Sequence, residues 1–305
     1  MGTPDFAATA LDAVAGTGEN IVGVVTQPDK PRGRGYTLTP PPVKVRAEAL
    51  GLPVLQPERV RGEEFAGTLS SLDPELIIVV AYGKILPKNV LDYPRYGCVN
   101  AHASLLPKYR GAAPIQRAVM AGERETGVTA MYMDEGLDTG DMILTKKITI
   151  EDTDNFETVH DKLAAAGAEA LTDVIAGIRE GTLTRTPQPE GATYAAKIED
   201  ADMVVDWTRP ARELHCQIRG LSPVPLAYTF TPDGRRLKLI AADCDDSATD
   251  TDPGTVTSIK GGRVAVSTGS GTLYITECQP EGKRRMTAAD LVNGRRVAVG
   301  DRLGV

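Results

Sequence analysis

Cysteine is scarce in this chain of 305 residues: four are scattered singly, at Cys98, Cys216, Cys244 and Cys278. None stands in the CxxC spacing of zinc or redox sites, and the density is far below that of a disulfide scaffold. Long apolar runs are missing as well. The longest, such as Leu76 to Tyr82, fall well short of the ~20 residues a bilayer crossing needs, and no basic-then-apolar leader opens the chain. These features lead us to expect a soluble, unexported protein in a reducing cytoplasm. No GxGxxG or GxxxxGK[ST] string occurs, so dinucleotide and P-loop readings lack their phosphate cradle. There are three histidines, far apart and near no paired cysteines, which disfavours a metal site.

What is present fits a globular protein. Hydrophobic residues make up 41% and charged residues 25%, and the length suggests two domains on a prior of roughly 150 residues each. The net charge of −7 argues against a polyanion partner, but it is unevenly spread. Residues 1–205 hold 20 basic and 29 acidic side chains, a net −9, whereas 206–305 hold 14 and 12, a net +2. Binding of a nucleic acid must rest on local patches, and two stand out: Lys30, Arg32, Arg34, Lys44 and Arg46 near one end, Lys283, Arg284 and Arg285 near the other. Runs of charge are most often merely solvated faces.

From Asn20 to Leu183, short β-rich runs alternate with helical spacing. Residues 21–26, 54–55, 76–80, 98–102, 128–133 and 143–150 read as strands, and 43–50, 62–72, 113–121 and 155–179 as helices. The fully apolar run at 76–80 suggests a strand buried on both faces, so an open, mostly parallel, Rossmann-like α/β sheet is expected. Thr186 to Asp202 is rich in Pro, Gly and polar residues and reads as a linker. The expected division is a catalytic domain over 1–185, a linker over 186–205 and a second domain over 206–305. After an amphipathic segment at 210–220 come about five short strands separated by turns, which suggest a small OB-like β-barrel.

His102 alone among the histidines lies at the end of a predicted strand, beside a Gly/Pro-rich segment. Asn100 sits two residues earlier on extended backbone, so both side chains leave the same face. An amide donor beside an imidazole suits a developing oxyanion, the amide stabilising charge and the ring exchanging a proton. Asp138, in a turn with Gly136 and Gly140, could orient the ring and stabilise its cationic form. Taken singly, each also fits a structural role: a satisfied histidine, or a carboxylate capping a turn. His160 and His215 lie in helical patterns and read as structural.

The ordered motifs resemble the methionyl-tRNA formyltransferases over nearly the full length. They are GTPDFA at 2–7, TQPDKPRGRGYTLTPPPVKVRA at 26–47, VAYGKILPKNVLD at 80–92, VNAHASLLPKYRGAAPIQ at 99–116 and LDTGDMI at 137–143. WTRPARELHCQIRGLSPVP at 207–225 and QPEGKRRMTAADLVNGRR at 279–296 resemble that family's C-terminal domain. The resemblance implies transfer of a formyl group from 10-formyltetrahydrofolate to the α-amine of methionine on initiator tRNA, in translation initiation, by a monomer with no metal and no membrane partner. It implies Asn100, His102 and Asp138 as the catalytic trio and Lys84, Ile85 and Leu86 as the segment lining the folate pocket. It also implies tRNA contacts from the Gly-rich basic loop, with Arg32 and above all Arg34, and from Lys197, Lys283, Arg284 and Arg285. The runner-up is a formyltransferase acting on a sugar-nucleotide amine, or a formyltetrahydrofolate hydrolase. The resemblance further implies a short apolar strand immediately before GTPDFA. A central sheet without it would leave backbone groups unpaired.

Overall fold

The computed structural model describes residues 1–32, 36–247 and 250–304. A helix follows the first residues directly: α1 (Asp5–Gly16), with Pro4 extended at its N-cap and Asp5 in the first turn, where a carboxylate meets the positive end of the helix. Phe6, Ala7 and Ala10 form its buried face. Next come β1 (Val24–Val25), the hairpin of β2 (Lys30–Arg32) and β3 (Thr37–Thr39), α2 (Pro42–Ala49), β4 (Val54–Leu55), α3 (Glu63–Leu72), β5 (Ile77–Val79) and α4 (Lys88–Leu91). The chain continues through β6 (Cys98–His102), β7 (Arg110–Gly111), α5 (Pro114–Met120), β8 (Glu125–Tyr132), β9 (Met142–Thr149), the long α6 (Phe156–Glu180) and β10 (Tyr194–Ala195). Leu163, Ala166, Ala170 and Val174 of α6 are all buried, at the i, i+3, i+7 and i+11 positions of one helical face.

The remainder holds α7 (Asp200–Met203), α8 (Ala211–Leu221), β11 (Ala227–Phe230), β12 (Arg236–Asp245), β13 (Val256–Lys260), β14 (Arg263–Ser267), β15 (Thr272–Pro280), β16 (Met286–Thr287) and α9 (Ala288–Asn293). The chain forms two compact units. One comprises residues 1–111, 125–149 and 160–195, the other 112–124, 150–159 and 196–305.

In the first unit β1 pairs in parallel with β4, β5 with β6 and β7 with β10, while β8 and β9 join antiparallel, giving the order β5-β6-β8-β9. The sheet is thus parallel on one side and antiparallel on the other. Met1 and Gly2 stand between β1 and β5. The Gly2 N–H donates to Val25 O at 3.0 Å and the Val80 N–H to Met1 O at 2.9 Å. The Met1 ammonium donates to Ile78 O at 2.6 Å, and its burial brings its pKa down from 8.0 to about 6. Beyond it opens a cavity of about 510 Å³ lined by Ala10, Val14, Val22, Val24, Ile78 and Ile175 among others.

The second unit is built on an antiparallel sheet of order β11-β12-β15-β14-β13, with β16 on β15. As expected, several short antiparallel strands follow the amphipathic helix. Among the described residues their pairing is an open path, with no pairing between β11 and β13 to close a barrel. Leu214, Ile218 and Leu221 of α8, spaced along one face, pack with Leu237, Leu273 and Ile275 into one core cluster. Helices α5 and α8 approach closely at Gly220, where a Cβ would stand 3.0 Å from the Met120 backbone nitrogen.

Candidate active site

Strand β6 runs Cys98-Val99-Asn100-Ala101-His102, and its alternation places Asn100 and His102 on one face. Asn100 is half-buried and His102 is 6% exposed. The segment after the strand is tied down from several sides. Thr129, the β8 partner of His102, donates its hydroxyl to Ser104 O at 2.7 Å and accepts the Leu106 N–H at 3.1 Å. The Ser104 hydroxyl donates to Lys108 O at 2.6 Å. This brings the Tyr109 carbonyl to the ring, where it accepts the proton of His102 Nε2 at 2.9 Å. A carbonyl oxygen can only accept, so Nε2 carries a hydrogen and Nδ1 is the nitrogen left for other chemistry. Tyr109 itself holds φ +59, a left-handed conformation uncommon for a bulky residue.

Asp138 reaches the same ring by a less direct route. Because β8 runs antiparallel to β6, its end at Tyr132 lies beside Val99, at the start of β6. Residues 133–141 must therefore turn back along the sheet. The turn is built by Asp134, whose Oδ1 accepts the Gly136 N–H at 3.0 Å and the Thr139 hydroxyl at 2.7 Å. Gly140 passes so close to the strand that a Cβ there would stand 1.9 Å from Tyr132 O. Asp138 sits at φ +53, and its Oδ2 accepts the Gly111 N–H at 2.8 Å and lies 3.6 Å from His102 Nδ1. Sequence alone suggests adjacent strand ends for the trio; the antiparallel β8 replaces that with a strand end and a returning loop. Both carboxylate and ring are largely buried, the Asp138 side chain being 14% exposed, so their electrostatic contact is only partly screened.

The segment expected to line a folate pocket divides by side chain. Lys84 Nζ donates to the carbonyls of Pro57 at 2.9 Å and Glu58 at 2.8 Å, Ile85 is 75% exposed, and Leu86 is buried in a core cluster with Tyr82 and Val90. Just before it, Ala81 holds φ +45, and the Tyr82 carbonyl accepts from Gln27 Nε2 at 2.9 Å and the Thr3 hydroxyl at 3.1 Å. Among the described residues the buried Tyr82 hydroxyl has no hydrogen-bond partner, and burial pushes the phenol up to about 12.

Of the residues expected to meet tRNA, Arg32 ends β2, paired in backbone register with Thr37, and Arg34 lies outside the described residues. Lys197 is exposed, and its carbonyl accepts from Arg117 Nη2 at 3.2 Å. Lys283, Arg284 and Arg285 are exposed between β15 and β16, with Arg285 ion-paired to Glu277. The remaining histidines sit in helices as expected: His160 in α6 near Asp161, and His215 buried in α8, its pKa lowered chiefly by burial. No group of three or more His, Cys, Asp or Glu among the described residues is arranged to hold a metal.

Sequence reasoning missed four contributors. Tyr109, Arg110 and Gly111 lie inside a motif with no role attached to them, and Gln188 lies in the stretch read as a linker. Within that stretch Thr186 exchanges backbone hydrogen bonds with Met142, and Tyr194–Ala195 pair in parallel with Arg110–Gly111. Gln188 Nε2 donates to the carbonyls of Asp138 at 2.8 Å and Gly140 at 2.9 Å. Only the glycine of Tyr-Arg-Gly, at φ +114 where a Cβ would meet Ala195 O at 3.0 Å, carried a readable signal.

Comparison with known proteins gives the chain's family. Residues 1–175 match the family described as Formyl transferase, and residues 197–296 match Formyl transferase, C-terminal domain. The methionyl-tRNA formyltransferase of Bacillus subtilis is 48% identical over 307 residues, covering 100% of this chain and 96% of its own length. That of Symbiobacterium thermophilum is 50% identical over 304 residues, covering 99% and 93%. Among solved structures, the N-formyltransferase of Helicobacter canadensis, in complex with folinic acid and dTDP-3-aminofucose, superposes with a TM-score of 0.65 at 16% identity, covering 92% of this chain and 97% of that one. HypX of Aquifex aeolicus in complex with tetrahydrofolic acid gives 0.61 at 20% identity, covering 83% and 44%. At those identities the likeness is one of fold.

Proposed function

The chain belongs to the methionyl-tRNA formyltransferase family, and from that premise we propose that it moves a formyl group from 10-formyltetrahydrofolate to the α-amine of methionyl initiator tRNA, as translation initiation requires. The observation that carries the chemistry is the approach of His102 Nδ1 to Asp138 Oδ2 at 3.6 Å, with Asn100 on the same strand face. That separation exceeds a hydrogen bond, so a proton on Nδ1 is not committed to the carboxylate and can serve a reacting group.

In this reading the amine nitrogen adds to the formyl carbon, and the carbonyl electron pair moves onto oxygen. The Asn100 amide and the protonated Nδ1 of His102 donate to that oxyanion in a site preset for the charge. The attacking nitrogen gives up a proton, N10 of the folate receives one, and the bond from carbon to N10 breaks, leaving formylmethionyl-tRNA and tetrahydrofolate. Asp138 holds the imidazolium and the proton in transit. No covalent bond to the protein is needed.

We assign residues 1–185 to catalysis, 186–205 to the connection and 206–305 to tRNA binding, with Lys84, Ile85 and Leu86 beside the folate. Arg32, Arg34, Lys197, Lys283, Arg284 and Arg285 meet tRNA phosphates. The enzyme is taken to act as a cytoplasmic monomer. The test is a formylation assay with the folate donor and alternative acceptors. Product with charged initiator tRNA supports the reading. Product with an amino-sugar nucleotide but none with tRNA, or free formate in the absence of an acceptor, overturns it.

A further inference from the structure

Asp138 holds a left-handed backbone conformation, which is unfavourable for a non-glycine residue and persists only where surroundings impose it. Besides the Asp134 carboxylate that caps the turn and the Gly111 N–H on the Asp138 carboxylate, one side-chain amide holds these residues. Both Nε2 protons of Gln188 go to the carbonyls on either side of Thr139, those of Asp138 and Gly140. Its Oε1 accepts from Arg110, from Nε at 3.1 Å and Nη2 at 2.6 Å. The amide is therefore fully used, two donations and two acceptances, a combination that a carboxylate or an aliphatic side chain cannot supply. Arg110 is itself fixed, because its backbone N–H donates to Thr193 O at 2.9 Å. It also stands between Tyr109, whose carbonyl takes the His102 Nε2 proton, and Gly111, whose N–H holds Asp138 Oδ2.

We propose that Arg110 and Gln188 form a positioning clamp for the known reaction, holding the turn at Asp138–Gly140 so that the carboxylate stays opposite His102 Nδ1. The inference rests on the reading above that Asp138 serves formyl transfer. Three consecutive residues, Tyr109 to Gly111, thereby set the ring, the turn and the carboxylate together. Without the amide, Asp138 relaxes toward negative φ and its carboxylate leaves Nδ1. A displacement of about 1 Å at a reacting group can cost 10²-fold in rate.

The test uses the full chain with saturating methionyl-tRNA and folate donor. Gln188→Ala is expected to lower kcat about 10- to 100-fold while KM for either substrate stays within about twofold. In an Asp138→Ala background the same change should cost less than about threefold, because the clamp acts only through that carboxylate. Gln188→Glu keeps a partner for Arg110 but sets a carboxylate against two carbonyls, so it should be as slow as Gln188→Ala. Full activity in Gln188→Ala, near wild-type kcat in Gln188→Glu, or losses that multiply in the double variant would each overturn the clamp. Amide hydrogen exchange at Tyr132 and Gly111, whose N–H groups donate to Asp141 O and Asp138 Oδ2, reads it without turnover. Protection should fall at least about tenfold in Gln188→Ala, and unchanged protection contradicts the clamp even if the wild-type enzyme formylates some other amine.

Discussion

The Tyr109 carbonyl takes the Nε2 proton of His102 at 2.9 Å, and that contact decides which ring nitrogen is left to act. Nδ1 faces Asp138 Oδ2 at 3.6 Å, so a hydrogen on Nδ1 turns the approach from a clash of lone pairs into an attraction. The carboxylate oxygen is simultaneously fixed by the Gly111 N–H at 2.8 Å. Ring and carboxylate are therefore held separately, each by the backbone of the same short segment.

Replacing Asp138 by Asn keeps the shape and removes the charge. The account expects kcat to fall about 10²- to 10³-fold with little change in either KM, as for loss of an electrostatic and proton-transfer partner. Steady-state kinetics with tRNA and folate varied separately check it; a rise in KM at constant kcat would place Asp138 in binding instead.

Gly140→Ala tests the turn by sterics alone. A Cβ there would stand 1.9 Å from Tyr132 O, so strand and loop cannot both keep their places. We expect a loss of about 2 kcal/mol or more in stability and activity well below that of wild type, read by thermal unfolding and by rate.

The Met1 ammonium links stability to pH. Its pKa is about 6 in the folded protein against 8.0 ordinarily, so as pH falls from 8 the unfolded chain takes up this proton first. Its contribution is therefore undiminished above about pH 8, falls between pH 8 and 6, and is flat below; the full drop is about 2 to 3 kcal/mol. Denaturant unfolding at several pH values should show this slope in the chain with a free amine. Acetylating that amine should remove it, whereas His215, buried and also lowered, titrates in both. Identical pH slopes with and without the free amine would contradict the buried charge.

Salt dependence counts the phosphates met by tRNA-binding residues. Neutralising Lys283 or Arg284 should each reduce the slope of log affinity against log salt by about one. Arg285 already pairs with Glu277, so its loss should change the slope less. Arg34→Ala should weaken use of tRNA far more than use of folate. Equal losses with both substrates would remove Arg34 from the tRNA interface.

Much of this was legible from sequence because the determinants are local. Strand β6 matches the expected 98–102, and the helix expected at 155–179 is α6 at Phe156–Glu180. Asn100 and His102 share a face because two residues of extended chain must. Helix α1 and the β2–β3 hairpin were not anticipated: the first follows a Gly-Thr-Pro start with no strand ahead of it, and the second is broken by prolines and glycines that mask any alternation. The Arg110–Gln188–Asp138 contacts left no trace, since they join residues 78 and 50 apart. Nor did alternation reveal that β8 runs antiparallel, which is why Asp138 arrives on a returning loop.

The most direct test of the account is a single-turnover measurement by rapid quench with both substrates saturating, comparing wild type with Asn100→Ala, His102→Ala and the two combined. We predict that each single variant slows formyl transfer at least about 10²-fold while tRNA and folate dissociation constants hold, and that the double variant loses far less than the product of the two. A His102→Ala enzyme that transfers formyl within about tenfold of the wild-type rate would contradict it.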